Sequence, residues 1–143
     1  MKKIFLNITV SLLLASCSKN DDANNNCNFL PNIGVNRTIE LNLPQYNQLN
    51  FPSNPVPIPD EGVRGIIVTN TGTGFVAFDA ADPNHILSAC STLVISGLEG
   101  TCGCDDQNQY SLFTGQPLNN SALQCGLKAY RVEQSGNTLF ISN

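Results

Sequence analysis

From Cys27 onward the apolar residues recur with a period of two in short runs, not in the sustained 3.6-residue rhythm of a helix. Residues 37–43 (RTIELNL) set Ile39, Leu41 and Leu43 on one face of a predicted strand. Residues 64–69 (RGIIVT) and 75–79 (FVAFD) flank the turn NTGTG at 70–74, a predicted β-hairpin. Residues 92–96 (TLVIS) form a further strand that turns at Gly97, and 110–113 (YSLF) closes on Thr114-Gly115. A last hairpin pairs 127–133 (LKAYRVE) with 138–142 (TLFIS) around the turn QSGN at 134–137. Between the first two strands, 50–62 (NFPSNPVPIPDEG) holds four prolines, which lack ladder donors, so it reads as an extended connection. Several short strands with such punctuation predict an all-β sandwich or small barrel. The GTG at 72–74 lies in a tight turn between strands, not at a strand-to-helix junction, and is no phosphate cradle.

The first residues do not belong to that pattern. Lys2 and Lys3 precede an apolar stretch over 4–14 that is too short for a permanent membrane helix, as expected of a secretory signal. Leu14-Ala15-Ser16-Cys17 then resembles the lipobox of bacterial lipoproteins, whose Cys is acylated and becomes the new N-terminus. This reading divides the chain into a signal peptide at 1–16, a lipidated Cys17 with a flexible tether at 17–33, and a domain at 34–143. The polar run SKNDDANNN at 18–26 cannot bury enough surface to fold. Its Lys-Asn-Asp-Asp resembles signals that send lipoproteins to the outer face of the outer membrane. The expected location is therefore the cell envelope, with the membrane as a partner through the anchor on Cys17.

Composition narrows the class further. Only 13% of residues are charged against 41% hydrophobic, which suits an extracytoplasmic β-domain better than a helical bundle. After Cys17, five basic residues stand against eleven acids, a net charge of −6 with no basic stripe. That excludes a nucleic-acid partner on electrostatic grounds.

The chemistry-bearing residues cluster in AADPNHILSACSTLVISGLEGTCGCDDQNQYSLFTG, residues 80–115. The order is a hairpin carrying FVAFDA, a polar segment, a strand, a Cys loop, YSLFTG, and the closing LKAYRVEQSGNTLFIS. From about Gly34 to Asn143 this resembles the Rieske domain. That resemblance implies an antiparallel β-sandwich or barrel with a small inserted loop subdomain. It also implies one-electron transfer through a [2Fe–2S] cluster held by Cys-x-His and Cys-x-x-His loops, with two thiolates on one iron and two imidazoles on the other. Here Asp82 and Asn84 occupy the positions of the first Cys and His, and His85 comes one place late. After a family-like gap of seventeen residues, Cys102 matches the second thiolate, and Asp105 stands where the second His belongs. Carboxylate and amide oxygens are hard ligands, poorly suited to an iron–sulfur cluster. The expectation is a degraded ligand set in a cluster-free binding or structural module on the envelope, not an enzyme. The alternative is a working electron carrier with altered ligands, Cys102 and His85 with a carboxylate or second Cys, served by a protein redox partner.

Some Rieske domains also carry a disulfide between the two loops, and Cys90 and Cys104 sit in about those places. Cys27 and Cys125 can then staple the N-terminal segment to the strand region, leaving Cys102 free; Cys90 paired with Cys102 is the other possibility. A divalent metal held by Asp82, His85, Asp105 and Asp106, or a Cys102–His85 nucleophilic pair, has suitable residue types but no fixed spacing. Solvated loop acids are the simpler reading. The aromatics Phe75, Phe78, Tyr110, Phe113, Tyr130 and Phe140 fall on strands and are expected in the core. Phe29, Tyr46 and Phe51 lie in irregular segments over a sheet edge.

Overall fold

The computed structural model describes Cys27 and residues 30–143. The signal peptide, Cys17 and most of the tether lie outside the described residues, so the division of the chain at those points is not visible in the fold. Among the described residues no helix is long and apolar enough to cross a membrane.

Among the described residues nine strands follow in chain order: β1 Asn36–Glu40, β2 Val56–Ile58, β3 Ile66–Asn70, β4 Phe75–Asp79, β5 Leu93–Ser96, β6 Glu99–Cys102, β7 Gln109–Ser111, β8 Ala129–Ser135 and β9 Thr138–Ser142. Six of them form one antiparallel sheet in the order β1-β9-β8-β4-β3-β2. One cluster of buried side chains draws on all six strands, including Ile39, Val56, Ile66, Ala77, Tyr130 and Ile141. The sheet therefore curls around its own core as a half-barrel. Tyr46 and Leu49 of a 3-10 segment at Pro44–Asn50 help to close it.

Strand β4 pairs directly with β8, Ala77 opposite Tyr130 and Phe78 opposite Ala129. Everything between them is an insertion: residues 80–128 leave the large sheet and build a second antiparallel sheet, β5-β6-β7. A second core of Ile67 and Phe78, on the outer face of the large sheet, with Leu93, Cys102, Tyr110, Leu112 and Leu127 fastens the insertion to it. Alternation along β3 explains the two cores: Ile66 and Val68 face one, and Ile67 the other. The result is the all-β layout expected from the sequence, a curled antiparallel sheet with a small inserted subdomain.

Two elements differ from the sequence reading. The proline-rich connection contains strand β2, which pairs with β3 in the register Val56–Val68, Pro57–Ile67, Ile58–Ile66. Pro57 is tolerated because β2 is the sheet's edge, while Val56 and Ile58 are buried. Strand β6, not expected from the sequence, pairs with β5 through the turn at Gly97, where φ is +57°. Some aromatics are also placed differently. Phe113, in the turn after β7, and Phe140, on β9, are each about two-fifths exposed, and Tyr46 is in the core while Phe51 is solvent-facing. Phe29 lies outside the described residues.

Candidate functional site

The insertion presents two loops side by side, residues 80–92 after β4 and residues 103–108 between β6 and β7. Ala81 bridges to Thr92, and the Asp82 N–H donates to Ser91 O at 2.8 Å, so the first loop is closed at its base. Its far end is ordered by a capping box in which Ser88 and Ser91 exchange side-chain and backbone hydrogen bonds. The Cys90–Cys104 disulfide, with the two Cα atoms 4.9 Å apart, joins the loops at their outer edge. A second disulfide, Cys27–Cys125, ties the N-terminal segment to the return path into β8, where Leu30 is also buried.

Beneath the disulfide lies a closed polar network. Asp82 is fully buried, which corrects the solvated-loop reading of this residue. Its Oδ1 accepts from the Tyr110 hydroxyl at 2.5 Å and the Asn84 N–H at 2.8 Å, and its Oδ2 accepts from Asn108 Nδ2 at 2.9 Å. Asn84 Nδ2 in turn donates to the Tyr110 hydroxyl at 2.8 Å and to Cys125 O at 2.7 Å. Asn84 Oδ1 accepts from the Cys125 N–H at 3.2 Å. Each buried polar group is matched by a partner, as a dry interior requires. Burial and the bond to Asp82 both push the Tyr110 phenol above its ordinary range.

Cys102 is the free cysteine among the described residues and is buried beside this network. Burial pushes the thiol up to about 12, opposed by the Cys104 backbone N–H and aided to a smaller extent by the nearby Asp82 carboxylate. A thiol so desolvated is a poor nucleophile. His85 is half-buried on the outer side: its Nδ1 lies 2.7 Å from Ile86 O and 3.7 Å from Cys104 Sγ, and its Nε2 lies 3.8 Å from Asp106 Oδ2. Asp105 is exposed.

These contacts bear directly on whether the residues could hold a [2Fe–2S] cluster. Asp82 and Asn84, at two positions the sequence resemblance would give to ligands, are hard-atom groups committed to internal hydrogen bonds. Cys90 and Cys104 are bonded to each other, which removes two thiolates. Cys102 alone offers an aligned sulfur, so these residues do not fit the cluster.

A similar network holds Asp79, also fully buried. It accepts from the N–H groups of Val63 at 2.7 Å, Arg64 at 3.3 Å and Ala81 at 2.9 Å, and from the Tyr130 hydroxyl at 2.6 Å. The sequence reading missed Asp79, Tyr110 and Asn108 as network members. The available signal was an Asp ending a strand of apolar neighbours, FVAFD, where the alternation leaves no solvent-facing slot.

No protein-family model matches the chain, and no curated protein does. Among solved structures it is similar to a complex of reduced oxygenase and oxidised ferredoxin in carbazole 1,9a-dioxygenase. That match has 20% identity over 64% of this chain and 82% of the other, with a TM-score of 0.45. The ferredoxin of carbazole 1,9a-dioxygenase from Nocardioides aromaticivorans matches at 18% identity, 66% and 90% coverage and a TM-score of 0.45. A protein described as the small subunit of a nitrite reductase NADPH matches at 20% identity, 73% and 97% coverage and a TM-score of 0.43. At these scores the overlap is partial.

Proposed function

We propose that this chain is a lipid-anchored protein of the cell envelope whose Rieske-like domain works without an iron–sulfur cluster, as a binding or structural module with no reaction of its own. The observation that carries this reading is the burial of Asp82 and the complete use of its carboxylate by Tyr110, Asn108 and Asn84. A carboxylate locked in that way cannot turn out to hold iron without breaking its bonds from Tyr110, Asn108 and Asn84. The Cys90–Cys104 bond supplies the cross-link between loops that a cluster otherwise provides.

The test is anaerobic reconstitution of the mature protein with iron and sulfide, followed by iron and acid-labile sulfide analysis. The expected result is a colourless protein with substoichiometric iron. Stoichiometric iron and a rhombic signal in the reduced-state EPR spectrum would replace this reading with electron transfer through altered ligands to a protein partner. The anchor has its own test. Replacing Cys17 with Ala should move the protein from the membrane to the soluble fraction, since the acyl chains alone provide about 0.8 kcal/mol per buried methylene. Protease accessibility on intact cells reports whether the protein faces outward at the outer membrane.

A further inference from the structure

We infer that opening the Cys90–Cys104 disulfide converts the tip of the inserted subdomain into a site for a soft divalent cation, Zn2+, held by the sulfurs of Cys90 and Cys104 and a ring nitrogen of His85. Ligand atoms of these three residues already lie within 4.8 Å of one another. The 3.7 Å between His85 Nδ1 and Cys104 Sγ is close to the edge of a zinc tetrahedron, about 3.5 Å from Zn–S and Zn–N bonds of about 2.3 and 2.0 Å. Two thiolates and an imidazole are the ligand types zinc prefers, and a water completes the fourth position.

The surroundings are arranged for those ligands. Asp106 Oδ2 stands 3.8 Å from His85 Nε2, the carboxylate–imidazole placement that orients a metal-bound histidine. The Ser88 hydroxyl lies 3.2 Å from Cys90 Sγ and 3.7 Å from Cys104 Sγ, where it can donate to either thiolate. Neither loop depends on the disulfide alone. The Ser88–Ser91 capping box and the Asp82–Asn108 bond hold the two loops in place once the sulfurs separate. Cys102 Sγ also lies within 4.8 Å of Cys104 Sγ and of an Asp106 carboxylate oxygen, but it is buried and is not grouped with His85 and Cys90.

The reductant is a dithiol. One of its thiolates attacks the exposed Cys90 Sγ, and Cys104 leaves as a thiolate, giving a mixed disulfide. The second thiol of the reductant then attacks its own sulfur in that bond, releasing Cys90 and departing as a cyclic disulfide. Two electrons have passed to the protein sulfurs. Zn2+ binds both thiolates with loss of their protons. His85 gives up its contact with Ile86 O, and its ring proton moves to Nε2, facing Asp106.

The test uses the mature protein with Cys27→Ser and Cys125→Ser, so that a phosphine reductant opens only Cys90–Cys104. Titration with Co2+ alone should give one equivalent of tetrahedral, thiolate-bound cobalt absorption after reduction and none before it. Zn2+ should displace that signal. Asp106→Asn should weaken binding about 10–100-fold, and His85→Ala at least as much. Cys104→Ser should abolish it, whereas Cys102→Ser should retain it. If the double serine variant does not fold, the reduced unaltered protein serves, and Zn2+ must raise its melting temperature. Absence of the cobalt spectrum, equal binding by the oxidised protein, indifference to His85→Ala, or no thermal shift would each overturn the inference. Cobalt absorption is read independently of iron and sulfide content, so this result stands apart from the cluster test.

Discussion

The Tyr110 hydroxyl meets Asp82 Oδ1 at 2.5 Å, joining residues 28 apart in the chain, and neither residue is exposed to solvent. Tyr110 belongs to β7 of the inserted sheet, while Asp82 lies just beyond the last strand of the large sheet before the insertion. The bond therefore ties the loop that leaves β4 to the inserted sheet, and Asn84 extends the same network to the backbone of Cys125.

Replacing Tyr110 with Phe keeps the ring in the second core but leaves Asp82 Oδ1 and Asn84 Nδ2 each one partner short. The expected loss is about 1–3 kcal/mol, the penalty for stranding buried polar groups. It is read as a lower urea midpoint with an unchanged m-value. A loss below about 0.5 kcal/mol, typical of surface changes, would show that the network does not organise the loops.

Gly62 gives a sharper test of the Asp79 network. Its φ is +65°, and a Cβ there would stand 2.5 Å from Asp79 Oδ2 and 2.8 Å from the Tyr130 hydroxyl. Gly97 and Gly136 have φ of +57° and +58° but face open space. Gly97→Ala and Gly136→Ala should each cost about 1–2 kcal/mol, the backbone penalty alone. Gly62→Ala adds a clash with the buried pair and should cost about 3 kcal/mol or more. Equal losses at the three positions, measured by thermal unfolding, would mean that the Asp79–Tyr130 pair yields readily.

The strands that alternate cleanly were legible in the sequence, because period-two burial leaves a direct trace: Ile39 in β1, Ile66 and Val68 in β3, Leu139 and Ile141 in β9. Strand β2 was hidden because proline is counted against a strand, and only its edge position in the folded sheet removes that objection. Strand β6, Glu99–Cys102, carries no apolar alternation, and its pairing with β5 and β7 comes from sitting between them. The polar network was hidden for a different reason. Asp82 reads as a loop acid until Tyr110 and Asn108 are brought to it, and those contacts span 28 and 26 residues. The resemblance drew attention to this pair of loops, whereas the closed hydrogen-bond circuit between them became visible only in three dimensions.

Alkaline pH should unfold this protein more steeply than its charge count suggests. Burial raises Cys102 to about 12, and it raises Tyr110 and Tyr130 above the ordinary phenol range, aided by Asp82 and Asp79. All three groups hold their protons in the folded state and release them sooner in the unfolded chain. Their contribution is thus fully present below about pH 9 and is lost as pH climbs toward 12 and beyond. Each group ionised only in the unfolded chain adds a slope of up to about 1.4 kcal/mol per pH unit. Urea midpoints measured from pH 8 to 11 should fall with increasing steepness, and Tyr130→Phe should show a shallower fall above pH 10. A flat profile over that range would contradict the assignment.

The two disulfides should differ in what they contribute. Cys90–Cys104 closes a short loop, at a sequence separation of 14, whereas Cys27–Cys125 spans 98. Chain entropy assigns about 3 kcal/mol to the first and about 4.5 kcal/mol to the second. Replacing both members of each pair with Ala should therefore lower stability more for Cys27 and Cys125, although that bridge does not join the two loops to each other. The local effect should be reversed. Amide exchange in residues 80–92 should accelerate mainly when Cys90 and Cys104 are replaced, because that bond crosses the tip while Asp82, Tyr110 and Asn108 hold only its base. If exchange at the tip is unchanged in that variant, the polar network alone sets the loop geometry, and the disulfide acts on the unfolded chain.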